Sequence, residues 1–329
     1  MSRLYCPTYL CLKEWRQLIN IQDKLFKVEL PTLLHVLCSI PPLKDMVTQE
    51  HLGEYQNIIN EIFVTAPRAV MEENMKVNDP KKQAILDQLK GGLIVSCQTQ
   101  KDEPIYTPDM TVKMAECAKW AGAVGLRINS PEQIRQVKEA NLGLPIIGLY
   151  KVWHDDTYVF ITPTMKEVDA IVEAGADIIA LDCTSERTHE GTQAWDLIKE
   201  VRKKYPDHLI FADCSTIEEA NRAIENGAEI VAPTLYGYTQ ATQHIEGADY
   251  RMIGQLCREV GNRAAVIMEG HLYTPEDAIK CMFLGCHSVV VGSAITRPHY
   301  VAKRFVDALS GYQDDWRKVE KAHHTNELK

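Results

Sequence analysis

The sequence predicts an α/β protein: a (β/α)8 barrel preceded by a helical extension. Three observations predict it. Eight short apolar runs are spaced along residues 91–312, with amphipathic helical stretches between them. Each run is apolar almost throughout, as strands covered on both faces must be. Eight such units in roughly 220 residues match the usual size of a closed parallel barrel. A doubly wound open sheet would want a glycine-rich dinucleotide fingerprint after its first strand, and Ser96-Cys97-Gln98-Thr99 is not one.

Residues 1–90 have a different texture. Apolar side chains recur at helical spacing over Leu12–Phe26 and Leu52–Phe63, with prolines at 31, 41, 42, 67 and 80 between and around them. The extension carries no glycine-rich loop or ligand cluster, so it reads as a cap or an association surface, with the polar Glu72–Lys82 as a linker. The strands then follow as Leu93–Cys97, Ala123–Ile128, Pro145–Tyr150, Asp177–Leu181, Leu209–Ala212, Glu229–Pro233, Ala264–Met268 and Ser288–Val291. Helices are expected over Met165–Ala174, Thr192–Lys204, Ile217–Asn226 and Tyr250–Val260; Gly175-Ala176 and Gly227-Ala228 suit left-handed caps. Thr274-Pro275-Glu276-Asp277 starts a further helix with a capping hydroxyl, a first-turn proline and two early acids. Small residues after Gly292 lead into a last helix, and 313–329 is set apart as a polar C-terminal tail.

Composition narrows the function. A hydrophobic share of 45% and a charged share of 25% are ordinary for a globular protein. A formal net charge of −9, with no Lys/Arg cluster, excludes nucleic acid as a main partner. Ten cysteines run from Cys6 to Cys286 without a CxxC pair, and Cys97, Cys183 and Cys214 fall inside apolar runs. That pattern fits reduced, buried thiols in a cytoplasmic protein. No apolar run approaches the ~20 residues that span a bilayer, so no membrane partner is expected. The opening MSRLYCPTYLCLKEW, broken by Pro7, has too short an apolar stretch for a secretory leader.

In such a barrel the active site lies at the C-terminal ends of the strands. Those ends supply Gln98, Arg127, Lys151, Asp182 with Thr184, Asp213 with Ser215, Thr234 with Tyr238, Glu269, and Ser293 with Arg297. Unpaired buried charges are costly, so polar groups at nearly every rim position point to a concave binding site. Lys151 closes an apolar strand; partial withdrawal from water near Arg127 would lower its pKa and suit it as a general base or a Schiff-base former. The apolar strand before Glu269 would raise that carboxyl and suit it as an acid. A Lys151–Glu269 ion pair without chemistry fits the same spacing, and Arg127 could pair with Asp182. Gly270, Gly292 and Arg297, in the loops after the last two strands, suit a phosphate as well as ordinary turns. No two rim positions supply a His/carboxylate cluster, so no metal is expected, and His154 and His189 are placed in solvated loops.

Ordered phrases carry a resemblance. They are Gly92–Gln98 followed by Glu103-Pro104, Gly148-Leu149-Tyr150-Lys151, Phe160–Thr164, Ala180–Thr184, Ala212–Thr216, Gly237-Tyr238-Thr239, Glu269-Gly270 with Thr274-Pro275-Glu276, and Val290–Pro298. Together, from about Gly91 to Leu309, they resemble the N-acetylmannosamine-6-phosphate 2-epimerase family. The resemblance implies a TIM barrel and a cofactor-independent isomerase. Its reaction would convert N-acetylmannosamine 6-phosphate to N-acetylglucosamine 6-phosphate at C2, in sialic-acid catabolism. It makes Lys151 the base and Glu269 its acidic partner, puts Gln98, Arg127, Asp182, Asp213 and Tyr238 on the sugar, and puts Gly270, Gly292, Ser293 and Arg297 around the phosphate. It also implies a homodimer. The chain departs from the pattern at Val152-Trp153, where Arg-Asp is usual, at His271, where arginine is common, and at Tyr236, where serine is. A Schiff-base aldolase using Lys151 and a sugar-phosphate-binding protein without turnover are the competing readings.

Overall fold

The computed structural model describes residues 77–326 except Glu246, with side chains as far as Tyr312. The helical readings over 12–26 and 52–63 lie outside the described residues. Eight parallel strands close into a barrel in sequence order, β8 returning to β1. They are β1 Leu93–Cys97, β2 Gly125–Asn129, β3 Ile146–Leu149, β4 Ile178–Asp182, β5 Leu209–Asp213, β6 Ile230–Ala232, β7 Ala265–Glu269 and β8 Ser288–Val291. Each expected strand is present, and the bounds of β1 and β8 coincide with the expectation.

Around them lie α1 Pro80–Leu89, α2 Met110–Trp120, α3 Pro131–Glu139, α4 Met165–Glu173, α5 Leu197–Lys204, α6 Ile217–Glu225, α7 Tyr250–Val260, α8 Pro275–Phe283, the short α9 Ser293–Thr296 and α10 Pro298–Asn326. Local chemistry starts them where the sequence predicts. Thr274 and Asp277 form a reciprocal capping box at α8 behind Pro275, and Thr216 with Glu219 does the same at α6. The stretch Thr192–Lys204, expected as one helix, divides into a 3-10 turn Ala194–Asp196 and α5. Gln193 is held in a bridge to Arg187, so the helical backbone starts only after it. At the other end, α10 runs on through the polar stretch set apart at 313.

The strands are apolar on both faces because each face has a cover. Leu126, Ile128, Ile179, Leu181, Ile210, Ala212, Val266 and Met268 lie in the core cluster beneath the outer helices. Alternate residues, among them Ile147, Leu149, Ile178, Ala180, Leu209, Phe211, Ala265 and Ile267, fill the barrel interior. Leu86 and Leu89 of α1 belong to this inner cluster. Lys82 on the same helix pairs with Glu229 at 2.9 Å, and the Leu86 carbonyl meets His287 Nε2 at 2.7 Å. α1, within residues 1–90 of the sequence reading, thus closes the foot of the barrel. The buried cysteines Cys97, Cys183, Cys214, Cys257, Cys281 and Cys286 are free thiols, and Cys117 is exposed. No helix among the described residues is long and apolar enough to cross a membrane.

Candidate active site at the strand C-termini

Inward alternation fixes the rim. Counting by twos from the inner cluster, β2 reaches Arg127 and Asn129, β3 reaches Lys151, β4 Asp182, β5 Asp213 and β7 Glu269. Apolar layers fill the interior below, and the top layer is charged.

Arg127 sits at its centre, fully buried. Its two terminal nitrogens donate to the two oxygens of Asp213, both at 2.9 Å, and Nη1 also donates to Glu269. The guanidinium lies 4.9 Å above the centroid of the Phe211 ring, which floors the site. Arg127 therefore pairs with Asp213 and Glu269, not with Asp182 as one sequence reading had it. Barrel closure decides this: β5 and β7 present their carboxylates across the interior.

Lys151 makes no ion pair among the described residues, so Glu269 is not its salt-bridge partner. Burial pushes the Lys151 pKa down to about 8; the positive charges of Arg127 and Arg297 add to this, and Glu269 and Asp213 oppose it. All four groups thus act on one amine at the barrel mouth. Burial pushes the Glu269 carboxyl up, further than Arg127 draws it down. The Lys151 backbone N–H donates to Asn129 Oδ1 at 2.9 Å, and Lys151 bridges to Ile161. Ile161 is wedged between the heads of β3 and β4, because its carbonyl also accepts from the Asp182 N–H at 2.8 Å. The loop after Lys151 is therefore anchored at both ends.

Asp182 pairs in register with Asp213 and is buried. Thr184 donates to its Oδ1 through both N–H (3.1 Å) and hydroxyl (2.6 Å), while Oδ2 has no partner. Burial pushes its pKa up to about 7 despite the Thr184 hydrogen bonds. Arg127 Nε and Thr234 Oγ1 are also buried without partners. Three orphaned polar atoms at one rim is the signature of a site that completes itself with a polar ligand. Gln98, just past β1, is buried and donates to Ser96 Oγ at 2.8 Å.

The residues considered for phosphate lie on the β7–β8 side. Gly270 has φ of 94°, a conformation that only glycine adopts freely, and His271 follows at 56°. A Cβ at Gly292 would come within 3.3 Å of the Ser96 side chain, so glycine lets the β8 head lie close against β1 without a shift of a few tenths of an ångström. Arg297, after α9, pairs through Nε with Glu103 at 3.0 Å. Tyr238 stands apart from the charged cluster: it is 57% exposed and stacks on His271, with centroids 5.4 Å apart. His271 Nε2 in turn meets the Tyr236 carbonyl at 3.0 Å. Sequence reasoning passed over Asn129, which two steps of alternation from Gly125 would have found, and Glu103 as the partner of Arg297.

The family described as "Putative N-acetylmannosamine-6-phosphate epimerase" matches residues 111–311. The chain belongs to this family. A Caldanaerobacter subterraneus subsp. tengcongensis protein named "Putative N-acetylmannosamine-6-phosphate 2-epimerase" is 43% identical over 222 residues, which cover 68% of this chain and 92% of that protein. A Listeria monocytogenes protein of the same name is 37% identical over 234 residues, covering 70% and 98%. The solved N-acetylmannosamine-6-phosphate 2-epimerase from Clostridium perfringens superposes with a TM-score of 0.64 at 40% identity, covering 68% of this chain and 96% of that one. The departures from the epimerase pattern named above fall on rim loops: Trp153 stacks on Phe160 at 3.9 Å, and Tyr236 and His271 meet beside Tyr238.

Proposed function

We propose that this chain is an N-acetylmannosamine-6-phosphate 2-epimerase acting on the phosphosugar in the cytoplasm, within amino-sugar (sialic acid) catabolism. The observation that carries the catalytic reading is the pairing of an amine with lowered pKa and a carboxyl with raised pKa around one buried arginine. In the open-chain substrate C2 lies beside the C1 carbonyl, so its proton is acidic. The neutral Lys151 amine removes that proton, and the electron pair moves towards the C1 oxygen. Protonated Glu269 returns a proton to C2 on the opposite face; the Lys151 ammonium then releases its proton to solvent and the Glu269 carboxylate takes one up, which resets both groups. Arg127, held by Asp213, keeps Glu269 in place. Asp182 Oδ2 and Gln98 offer acceptor and donor groups to sugar hydroxyls, with Tyr238 at the outer edge. Gly270, Gly292, Ser293 and Arg297 hold the 6-phosphate, which fixes C2 over the amine. The functional unit is a homodimer, a reading in keeping with the exposed Phe305, Leu309 and Tyr312 of α10 and checked by light scattering.

Epimerisation in heavy water should place deuterium at C2 of the product, and Lys151→Ala should slow turnover by about a thousandfold or more. Full activity without Lys151, or product free of deuterium, overturns the assignment. The pH profile gives a second check. A base must be deprotonated and an acid protonated, so kcat/KM should be bell-shaped, with one limb at about 8 set by Lys151. In Glu269→Gln only the Lys151 requirement is left, and the residual rate should rise through about 8 without falling again. A residual rate that still falls at high pH removes Glu269 from its role.

A further inference from the structure

The charged rim leaves one chemically able cluster unused. His154 and Asp156 sit in the loop that follows Lys151, and His189 sits in the loop that follows β4. The fold brings these loops together so that one ligand atom from each of the three residues lies within 4.8 Å of the others. The imidazoles of His154 and His189 stack at 4.2 Å with 4° between their planes, and His189 Nδ1 lies 3.0 Å from both oxygens of Asp156. Sequence reasoning set these histidines apart in solvated loops; they are solvated, but they converge.

We propose that His154, Asp156 and His189 form a three-ligand site for a divalent transition ion of the zinc class, clasping the loop after Lys151 to the loop after β4. Two imidazoles and a carboxylate are the donor set such ions prefer, and three protein ligands leave a fourth position for water. A tetrahedral ion with bonds of about 2.1 Å spaces its donors about 3.4 Å apart. That lies inside the present spread of up to 4.8 Å, and the two stacked rings turn out of their parallel planes to bring both lone pairs onto it. The ion takes the place of the proton now shared between His189 Nδ1 and Asp156. Both loops are already braced beneath the tip. Thr157 Oγ1 donates to the Arg187 carbonyl at 2.5 Å, and Arg187 Nη1 donates to the Gly191 carbonyl at 2.7 Å. Trp153, stacked on Phe160, stiffens the stem of the first loop. An exposed Asp–His contact alone adds little to stability. An ion at the same point ties down the chain directly after the proposed base.

The site stands on this geometry and not on the catalytic reading, so its test is spectroscopic. The full chain is titrated with Co2+ alone, followed by Zn2+ as competitor. One Co2+ per chain should bind with visible d–d bands and without the ultraviolet charge-transfer band of a thiolate ligand. Zn2+ should bleach those bands. His154→Ala and His189→Ala should each weaken binding by about tenfold or more, as should Asp156→Asn, while Cys117→Ser leaves it unchanged. The three ligand positions lie at the surface, and His189→Gln, which keeps bulk and polarity, repeats the test with less disturbance. Unchanged affinity in the His154→Ala/His189→Ala double variant overturns the proposal. So do a thiolate band in the spectrum and the absence of Co2+ binding.

Discussion

On β5, Leu209 at the foot and Asp213 at the head face the same interior, two alternations apart; Ala265 and Glu269 stand in the same relation on β7. At the foot the interior is filled with Ile178, Leu209, Ile230 and Ala265 and closed by Leu86 and Leu89 of α1. At the head it holds Arg127, Asp182, Asp213 and Glu269, with Lys151 beside them. The foot gains free energy from every apolar atom it removes from water, while the head loses it for each charge so removed and recovers part through Arg127. One geometric rule thus serves a stabilising layer and a layer that is costly to keep.

The contrast breaks most visibly at the two centres. Arg127→Ala leaves Asp213 without its pair in a buried site and should cost about 3–5 kcal/mol in urea unfolding, together with nearly all turnover. Leu89→Ala opens a cavity at the foot and should cost about 2–5 kcal/mol of stability while leaving kcat of the folded protein unchanged. A Leu89→Ala enzyme as slow as Arg127→Ala would mean that the two ends are not separable.

The strands were legible in the sequence, the α1 helix that closes their foot was not, since Glu72–Lys82 read as a linker, and the head was legible only in part, for a physical reason. Strands buried on both faces show as runs such as Leu93–Cys97 and Ser288–Val291, and their polar terminators show where the rim is. Which rim groups meet depends on shear and closure, which no local pattern carries. Arg127 therefore finds Asp213, 86 residues on, where the sequence equally allowed Asp182. Loop paths are hidden for the same reason. The return of Ile161 between β3 and β4, and the meeting of Asp156 with His189, follow from hydrogen bonds between segments, not from spacing. Tyr238 shows the converse: a promising rim position whose ring, stacked on His271, faces solvent.

A smaller effect of opposite sign sharpens the comparison. Asp182 is the head residue whose cost is least offset, since Thr184 satisfies Oδ1 while Oδ2 has no partner and Asp213 lies alongside. Its pKa is raised by burial to about 7 from an ordinary value of 3.8, so the protonated form is the one the fold favours. The contribution is fully present below about 4 and is lost as pH rises through about 7, where the buried carboxylate must ionise. Asp182→Asn keeps an acceptor for Thr184 and never ionises. It should therefore match the parent in acid and exceed it above neutrality by on the order of 2 kcal/mol. It should also raise KM for the phosphosugar, because the amide puts a donor where a hydroxyl would donate. Thermal unfolding across that range reads the difference. A gain of the same size at every pH would show that the Asp182 carboxyl binds its proton equally in the folded and unfolded chain, and burial would then not be what raises it.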